Sequence, residues 1–464
     1  MRVRNEGQAA GMRVNRILIV GQDEAHARAG IGQFAADRHV EYTPAGWADA
    51  MRLGSSGQFQ LVVILVGNGI GPAAATNLAR SAERWPRREA LMLVALTECA
   101  TAALHRELQE AGFDDIIHKP VHKAQVASRI AVLIRLSTMR RELARRQATA
   151  RGFTNGEGLF LGAAEPAHSL RRASVLLVQF DRHVACTEQF TRAVRSCTEA
   201  QVCDDPDLAH SMLYRGGLDA VLLCTGGDPA PAVAFADRMR CIPALYNLPV
   251  LLATTDVQAL DLDAVFAAGI TDITETCLST EQLSVHLSSF KRLEALRSAL
   301  ASRYAQHVET VIRDGVTGFA CHGFGMAHLG ETLAECDELG LPVSVASLTL
   351  ENLDAINARH GYRIGDMVLR RLGDTIRRCI RGEDMATRLS GNRFLVQFPD
   401  TRFAAARIAV QRLANVLKYQ TVDLPEGGGS IQLDIGYNLA GWDGRSSARA
   451  LVGQLAEKNI AVAA

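Results

Sequence analysis

At 464 residues the chain is too long for one ordinary core and implies about three domains. Lys+Arg and Asp+Glu both number 50, so no net field draws it toward nucleic acid or an anionic membrane. The longest apolar runs, such as LVVILV from Leu61 to Val66, are strand-length, which argues against membrane insertion. Ten cysteines without a Cys-x-x-Cys pair fit a reducing cytoplasm better than a disulfide framework or a zinc site. The opening MRVRNEGQAA has no apolar stretch and does not read as a secretory signal, so a cytoplasmic location is expected.

In chain order, RILIVG (Arg16 to Gly21), LVVILVGN (Leu61 to Asn68) and ALMLVALT (Ala90 to Thr97) each suit a buried parallel strand. Amphipathic segments between them set a βαβ rhythm and predict a doubly wound sheet over residues 14–137. STMRRELARRQATARGFTNGEG (Ser137 to Gly158) begins as a basic helical extension and ends in glycine-rich turns. It falls in a linker spanning 138–171, and its charge run reads as a solvated face rather than a nucleic-acid contact. A second cycle over 172–296 repeats the first, with ASVLLVQF (Ala173 to Phe180), LDAVLLCTGG (Leu218 to Gly227) and LPVLLATT (Leu248 to Thr255). The cycles close on similar phrases, AGFDDIIHKP (Ala111 to Pro120) and AGITDITETC (Ala268 to Cys277).

Those phrases resemble the response-regulator receiver family. The resemblance implies a Mg²⁺-holding acidic pair after the first strand and a phosphoacceptor aspartate ending the third. The pair positions here read Gly21 and Gln22 in the first copy and Gln179 and Phe180 in the second. Asp23 and Asp181 lie one residue late. The acceptor positions align with Leu65 and Cys224. Thr97, Lys119 and Pro120 match the family in the first copy; the second keeps Thr254 and has Thr276 in place of lysine. Two receivers without phosphochemistry, serving as dimerisation and docking surfaces, are the expectation.

From about Asp314 the pattern changes. DGVTGF (Asp314 to Phe319), VSVASLTLENLDAINARHGYRIGDMVL (Val343 to Leu369) and RLSGNRFLVQFPDT (Arg388 to Thr401) resemble the GGDEF, or diguanylate cyclase, family, with SGNRF at the signature hairpin. The expected fold is therefore α/β, two flavodoxin-like receiver domains followed by a nucleotidyl-cyclase-like GGDEF domain over 297–464. The family joins two GTP molecules with divalent ions held by carboxylates. Those positions align with Thr349, Asn392 and Arg393, leaving Glu351 as the aligned metal carboxylate, so neither catalytic residues nor a metal are expected. Ser390 adds a side chain where the turn must approach the nucleotide, and Ser447 to Ala464 reads as a shortened end. Asn357 and Asp366 match the family's guanine-reading pair and form a possible remnant.

Arg381 and Asp384 form an Arg-x-x-Asp, followed by MATRL and then SGNRF. That is the spacing of the family's inhibitory site for cyclic di-GMP. An arginine fork can bond guanine O6 and N7, and a carboxylate can accept from guanine N1–H and its amine. Arg412 matches the family's second inhibitory-site arginine, which the resemblance implies comes from a neighbouring domain and crosslinks through stacked ligand. The reading is a dimeric effector without catalysis that binds cyclic di-GMP. Resemblance to the family's non-catalytic members implies cell-cycle control, a cell pole and adaptors of the ClpXP protease. The alternatives are a nucleotide-independent scaffold, and a weak residual cyclase or GTP-binding domain.

Overall fold

A computed structural model describes residues 15–31, 40–67, 70–98, 101–119, 121, 123–153, 172–181, 185–215, 217–240, 242, 245, 248–278, 280, 283–284, 286–287, 289–293, 295–296, 312–424, 429–455 and 460–461. Pro120 and much of the linker segment lie outside these residues. The chain divides into two compact units. One is built from Asn15–Arg141 and Ala164–Leu296, the other from Glu142–Ala163 and Arg297–Ala464.

The first unit holds two parallel five-stranded sheets. One has β1 (Asn15–Gly21), β2 (Val40–Gly46), β3 (Leu61–Val66), β4 (Met92–Thr97) and β5 (Asp115–His118) in the order β2-β1-β3-β4-β5. The other has β6 (Ala173–Gln179), β7 (Thr198–Cys203), β8 (Ala220–Thr225), β9 (Val250–Thr254) and β10 (Asp272–Glu275), ordered β7-β6-β8-β9-β10. Both have the flavodoxin-like order. The central strands β3, β4, β8 and β9 are apolar but for a closing threonine on the last three, and every residue of them is buried because helices cover both faces. The strands absent from the sequence reading, β2 and β7, are edge strands with mixed burial, and β2 carries Pro44, which an edge tolerates.

The repeat produces a buried polar junction between the two sheet domains. Asp115 opens β5 and Asp272 opens β10, and fourteen residues after each stand Arg129 and His286. Arg129 Nε donates to Asp115 Oδ2 at 2.8 Å, and its Nη1 lies 2.9 Å from His286 Nε2. His286 Nδ1 meets Asp272 Oδ2 at 2.5 Å, and Ser128 also donates to Asp272. None of the four ionisable side chains is more than a tenth exposed. Burial alone would raise the Asp272 carboxyl; His286 and Arg129 overcome that and hold it below the usual carboxylate range. At one side, Arg292 and Arg140 converge on Asp114 Oδ1 at 3.1 and 3.3 Å.

The second unit is an antiparallel sheet ordered β12-β13-β11-β16-β17, from β11 (Ser344–Leu350), β12 (Met385–Ser390), β13 (Arg393–Phe398), β16 (Ile435–Gly441) and β17 (Ile460–Ala461). A separate ribbon pairs β14 (Thr421–Asp423) with β15 (Ser430–Gln432). Helices Leu353–His360, Tyr362–Cys379 and Phe403–Tyr419 pack with Leu348, Phe394 and Val396 in one core cluster. Helices His322–Leu339 and Ala448–Gln454 pack with Val345 and Leu395 in another. Alternate residues of a strand face opposite sides, which is why Phe394 and Leu395 fall in different clusters. The stripe Val368, Leu372, Ile376 and Cys379 is buried as its spacing predicts.

The basic run of the linker is not a solvated face. The 31-residue helix Lys123–Phe153 carries it, and Arg141, Glu142 and Arg145 are 4%, 1% and 6% exposed. Within the second unit, Arg145 Nη1 donates to Glu142 Oε2 at 2.9 Å and its Nε to Glu335 Oε2 at 2.8 Å. Arg146 Nε also donates to Glu142, and His328 Nε2 lies 3.1 Å from Glu142 Oε1. Arg140, Glu142, Arg145 and Arg146 each meet a partner from a distant segment, which composition does not reveal.

This cluster has a pH consequence. Burial holds the His328 pKa below its usual 6.5, outweighing the pull of Glu142. For Glu142 burial would raise the carboxyl, but Arg146, His328 and Arg145 hold it far below 4.5. The unfolded chain therefore takes up protons before the folded one does, first at histidine below about 6.5 and then at glutamate below about 4.5. Stability is expected to fall as pH drops from 7 to 5, and His328→Gln to flatten that part of the profile. Calorimetric unfolding across this range checks it; an unchanged slope in the variant contradicts the assignment.

Candidate functional site

At the ends of the parallel strands, the receiver-type positions hold groups that do other work. Leu65 and Cys224 are 3% and 0% exposed, an apolar side chain and a thiol at the expected acceptor places. Asp23 Oδ1 accepts from His26 N at 2.8 Å and so anchors the start of helix Glu24–Ile31. Asp181 Oδ2 accepts from Thr225 Oγ1, Gly226 N and Gly227 N at 2.9, 2.8 and 3.1 Å, so its carboxylate occupies the cluster of donors after β8. Lys119 lies 3.6 Å from Glu98, and Thr97, Thr254 and Thr276 are buried.

The hairpin β12–β13 turns through Gly391 and Asn392, with a register shift between Arg388 and Ser390. Asn392 is tied to the neighbouring strand: its Nδ2 donates to Leu350 O at 3.0 Å and its carbonyl accepts from Leu350 N at 2.9 Å. Arg393 stands directly opposite Thr349 across β11 and β13 and donates to Leu455 O at 2.9 Å. The Glu351 carboxylate lies against Gly436, where an added Cβ would meet Oε1 at 2.4 Å.

A divalent ion of the GGDEF type does not fit this donor set. One carboxylate, one hydroxyl and one amide already donating to a carbonyl cannot offset the dehydration of Mg²⁺, and a guanidinium in the same cross-strand pair opposes it. Among the described residues no group of three His, Cys, Asp or Glu side chains could hold a metal ion.

Arg388 ties the hairpin to the DGVTGF phrase. Its Nη1 donates to both oxygens of Asp314 at 3.0 Å, and its Nε and Nη2 donate to Gly391 O at 3.2 and 2.7 Å. Asp314 also accepts from Thr317 N and Oγ1 at 2.8 and 2.7 Å. Burial would lift the Asp314 carboxyl; the Thr317 and Arg388 bonds hold it below the usual range. The DGVTGF phrase therefore anchors the tip of the hairpin. The available signal was the phrase itself, but a separation of 74 residues hides the partner.

The structure brings Arg381 and Asp384 into one turn between helix Tyr362–Cys379 and β12. Asp384 Oδ2 accepts from Arg381 N at 2.8 Å, and Asp384 N donates to Arg381 O at 3.2 Å. Asp384 is 6% exposed, whereas Arg381 is exposed. The carboxylate thus shapes the turn, and Arg381 is the exposed member of the pair. Arg412 comes from a different element, half-buried on helix Phe403–Tyr419.

Asn357 and Asp366 sit on successive helices, both half-buried. Asn357 Oδ1 is a buried oxygen without a hydrogen-bond partner among the described residues. It lies over Gly365, where a Cβ would come within 1.9 Å of it.

Comparison with known proteins agrees with this architecture. Residues 311–460 match the family model "Diguanylate cyclase, GGDEF domain". The chain is 24% identical over 305 residues to the response regulator PleD of Caulobacter vibrioides, covering 66% of this chain and 65% of PleD. It is 30% identical over 96 residues to diguanylate cyclase DgcS of Shewanella oneidensis, 21% of this chain and 32% of that one. A solved GGDEF domain of DgcB from Caulobacter crescentus, in complex with c-di-GMP, aligns over 31% of this chain and 83% of its own at 18% identity and a TM-score of 0.31. The FimX GGDEF domain from Pseudomonas aeruginosa aligns over 31% and 89%, with 21% identity and a TM-score of 0.30. The chain is thus an α/β protein with two flavodoxin-like parallel-sheet domains and a GGDEF domain at residues 311–460, similar over two thirds of its length to the response regulator PleD.

Proposed function

We propose that the protein is a cyclic di-GMP effector without cyclase activity, reading the nucleotide at the Arg381–Asp384 turn and signalling through protein contacts. The observation that carries this is the pairing of an exposed Arg381, held at the inhibitory-site spacing by the buried Asp384, with a hairpin whose donors do not suit a divalent ion. Arg381 would grip guanine or phosphate, Asp384 would set the turn, and Arg412 would serve a ligand shared between protomers. In this reading the sheet domains supply docking and dimerisation surfaces. The reading is that of a PopA-like effector, acting at a cell pole in cell-cycle control through ClpXP adaptors.

Calorimetric titration of cyclic di-GMP into wild type and Arg381→Ala, with light scattering to follow assembly, tests it. Wild type is expected to bind, and the variant to lose at least tenfold in affinity, since a charged hydrogen bond is worth about 1.5–3 kcal/mol. No binding by wild type at high micromolar ligand would leave a nucleotide-independent scaffold.

A second reading, residual GTP contact at Asn357 and Asp366, is favoured by one observation, the unpartnered Asn357 Oδ1 beside Gly365. A buried acceptor without a donor costs about 1–3 kcal/mol, which a guanine amine would relieve. Product formation from GTP with Mg²⁺ or Mn²⁺, abolished by Glu351→Ala, would replace the effector reading with a weak cyclase.

A further inference from the structure

The same turn is held from behind by the linker helix. Arg146 Nη2 donates to Asp384 O at 2.8 Å and Gly382 O at 3.2 Å, while its Nε is fixed on the buried carboxylate of Glu142. Glu142 is itself held by Arg145 and His328, and Arg145 reaches Thr332 Oγ1 at 3.2 Å as well as Glu335. Apolar contact reinforces the polar one. Ala150 shares a core cluster with Met385, the residue after Asp384, together with Ile312, Ala320 and Phe324. Phe153 stands edge-on to Phe324 at 5.5 Å. Both ends of segment 142–153 are thereby fixed on elements that flank the Arg-x-x-Asp turn.

We infer that Arg146 is a positioning residue for the ligand turn, and that a nucleotide bound at Arg381 is sensed by the linker helix through the Arg146–Gly382–Asp384 contacts. This rests on the proposed function and adds its route of readout. The physical basis is linkage. If ligand binds the turn in the geometry Arg146 maintains, ligand must strengthen the docking of segment 142–153, and loosening that segment must weaken ligand to the same degree. Four hydrogen bonds hold the turn: Arg381 N to Asp384 Oδ2, Asp384 N to Arg381 O, and two from Arg146 Nη2 to the carbonyls of Gly382 and Asp384. The two from Arg146 come from outside it. Arg146 is the lever because its guanidinium joins a buried anion to two peptide carbonyls, a planar geometry that a lysine ammonium reproduces only in part.

The experiment compares full-length wild type, Arg146→Ala and Arg146→Lys by cyclic di-GMP calorimetry and by hydrogen exchange with and without ligand. Glu142 keeps Arg145 and His328 in both variants, so both are expected to fold; circular dichroism checks this. Arg146→Ala is expected to bind at least fivefold more weakly, with Arg146→Lys between it and wild type. In wild type, ligand is expected to slow exchange across residues 146–153, and in Arg146→Ala to leave it unchanged. A merely structural arginine would not make linker protection depend on ligand. Wild type that binds while Arg146→Ala matches its affinity, or ligand that leaves linker exchange unaltered, overturns this inference and leaves the functional reading standing. Wild type that does not bind overturns the functional reading and the coupling together.

Discussion

Replacing Glu142 by alanine is expected to destabilise the GGDEF-containing unit by about 3–5 kcal/mol, the cost of breaking a buried ion pair by removing one partner. The side chain is 1% exposed and meets two guanidiniums and an imidazole. Arg145 keeps Glu335 and Thr332 when the carboxylate goes, whereas the turn carbonyls of Gly382 and Asp384 that Arg146 keeps carry no charge. The loss therefore falls on the Arg146 and His328 side of the cluster. Denaturant unfolding of the full chain, read by hydrogen exchange in helix His322–Leu339, would measure it. Glu142→Gln keeps the shape but not the charge and is expected to fall between alanine and wild type. An alanine variant within 1 kcal/mol of wild type would mean that the arginines find water, and that the cluster does not hold the linker.

The second large effect belongs to the other unit. Arg129→Ala strips Asp115 of its bidentate partner and His286 of its neighbour, and is expected to cost about 3–5 kcal/mol. Asp115 is 3% exposed and keeps a bond from the backbone of Ile116, which does not replace a cation. Because Arg129 comes from one sheet domain and His286 from the other, their coupling should appear in a double-mutant cycle. Arg129→Ala and His286→Ala together are expected to cost less than the sum of the single variants. Strict additivity would show that each domain is stabilised separately and that the junction adds nothing.

Much of the architecture was legible because burial on both faces leaves a distinct trace. β3, β4, β8 and β9 are almost wholly apolar runs of five or six residues, and no other placement buries them. Edge strands leave no such trace: β2 and β7 are of mixed burial, and their pairing depends on β1 and β6 presenting free edges. The Arg381–Asp384 turn was legible from spacing because both groups lie in one short segment. The exposure of Arg381 against the burial of Asp384 was not, since it depends on what packs behind the turn.

The linker arginines show the boundary between local and tertiary information most plainly. Alone, MRRELARRQ determined a helix of high charge, because Arg, Glu, Leu and Ala all favour that state. Whether those charges meet water or a buried partner is decided by residues far along the chain. Glu335 and His328 lie 190 and 186 residues from the Arg145 and Glu142 that they contact. The hairpin divides in the same way. Its composition determined by itself that carboxylates would be scarce at the turn, whereas only the folded sheet set Asn392 on Leu350 and Arg388 on Asp314. Helical and strand preferences act over a few residues, but a buried charge is tolerable only beside its counter-charge. That proximity exists only once the chain has closed its long loops.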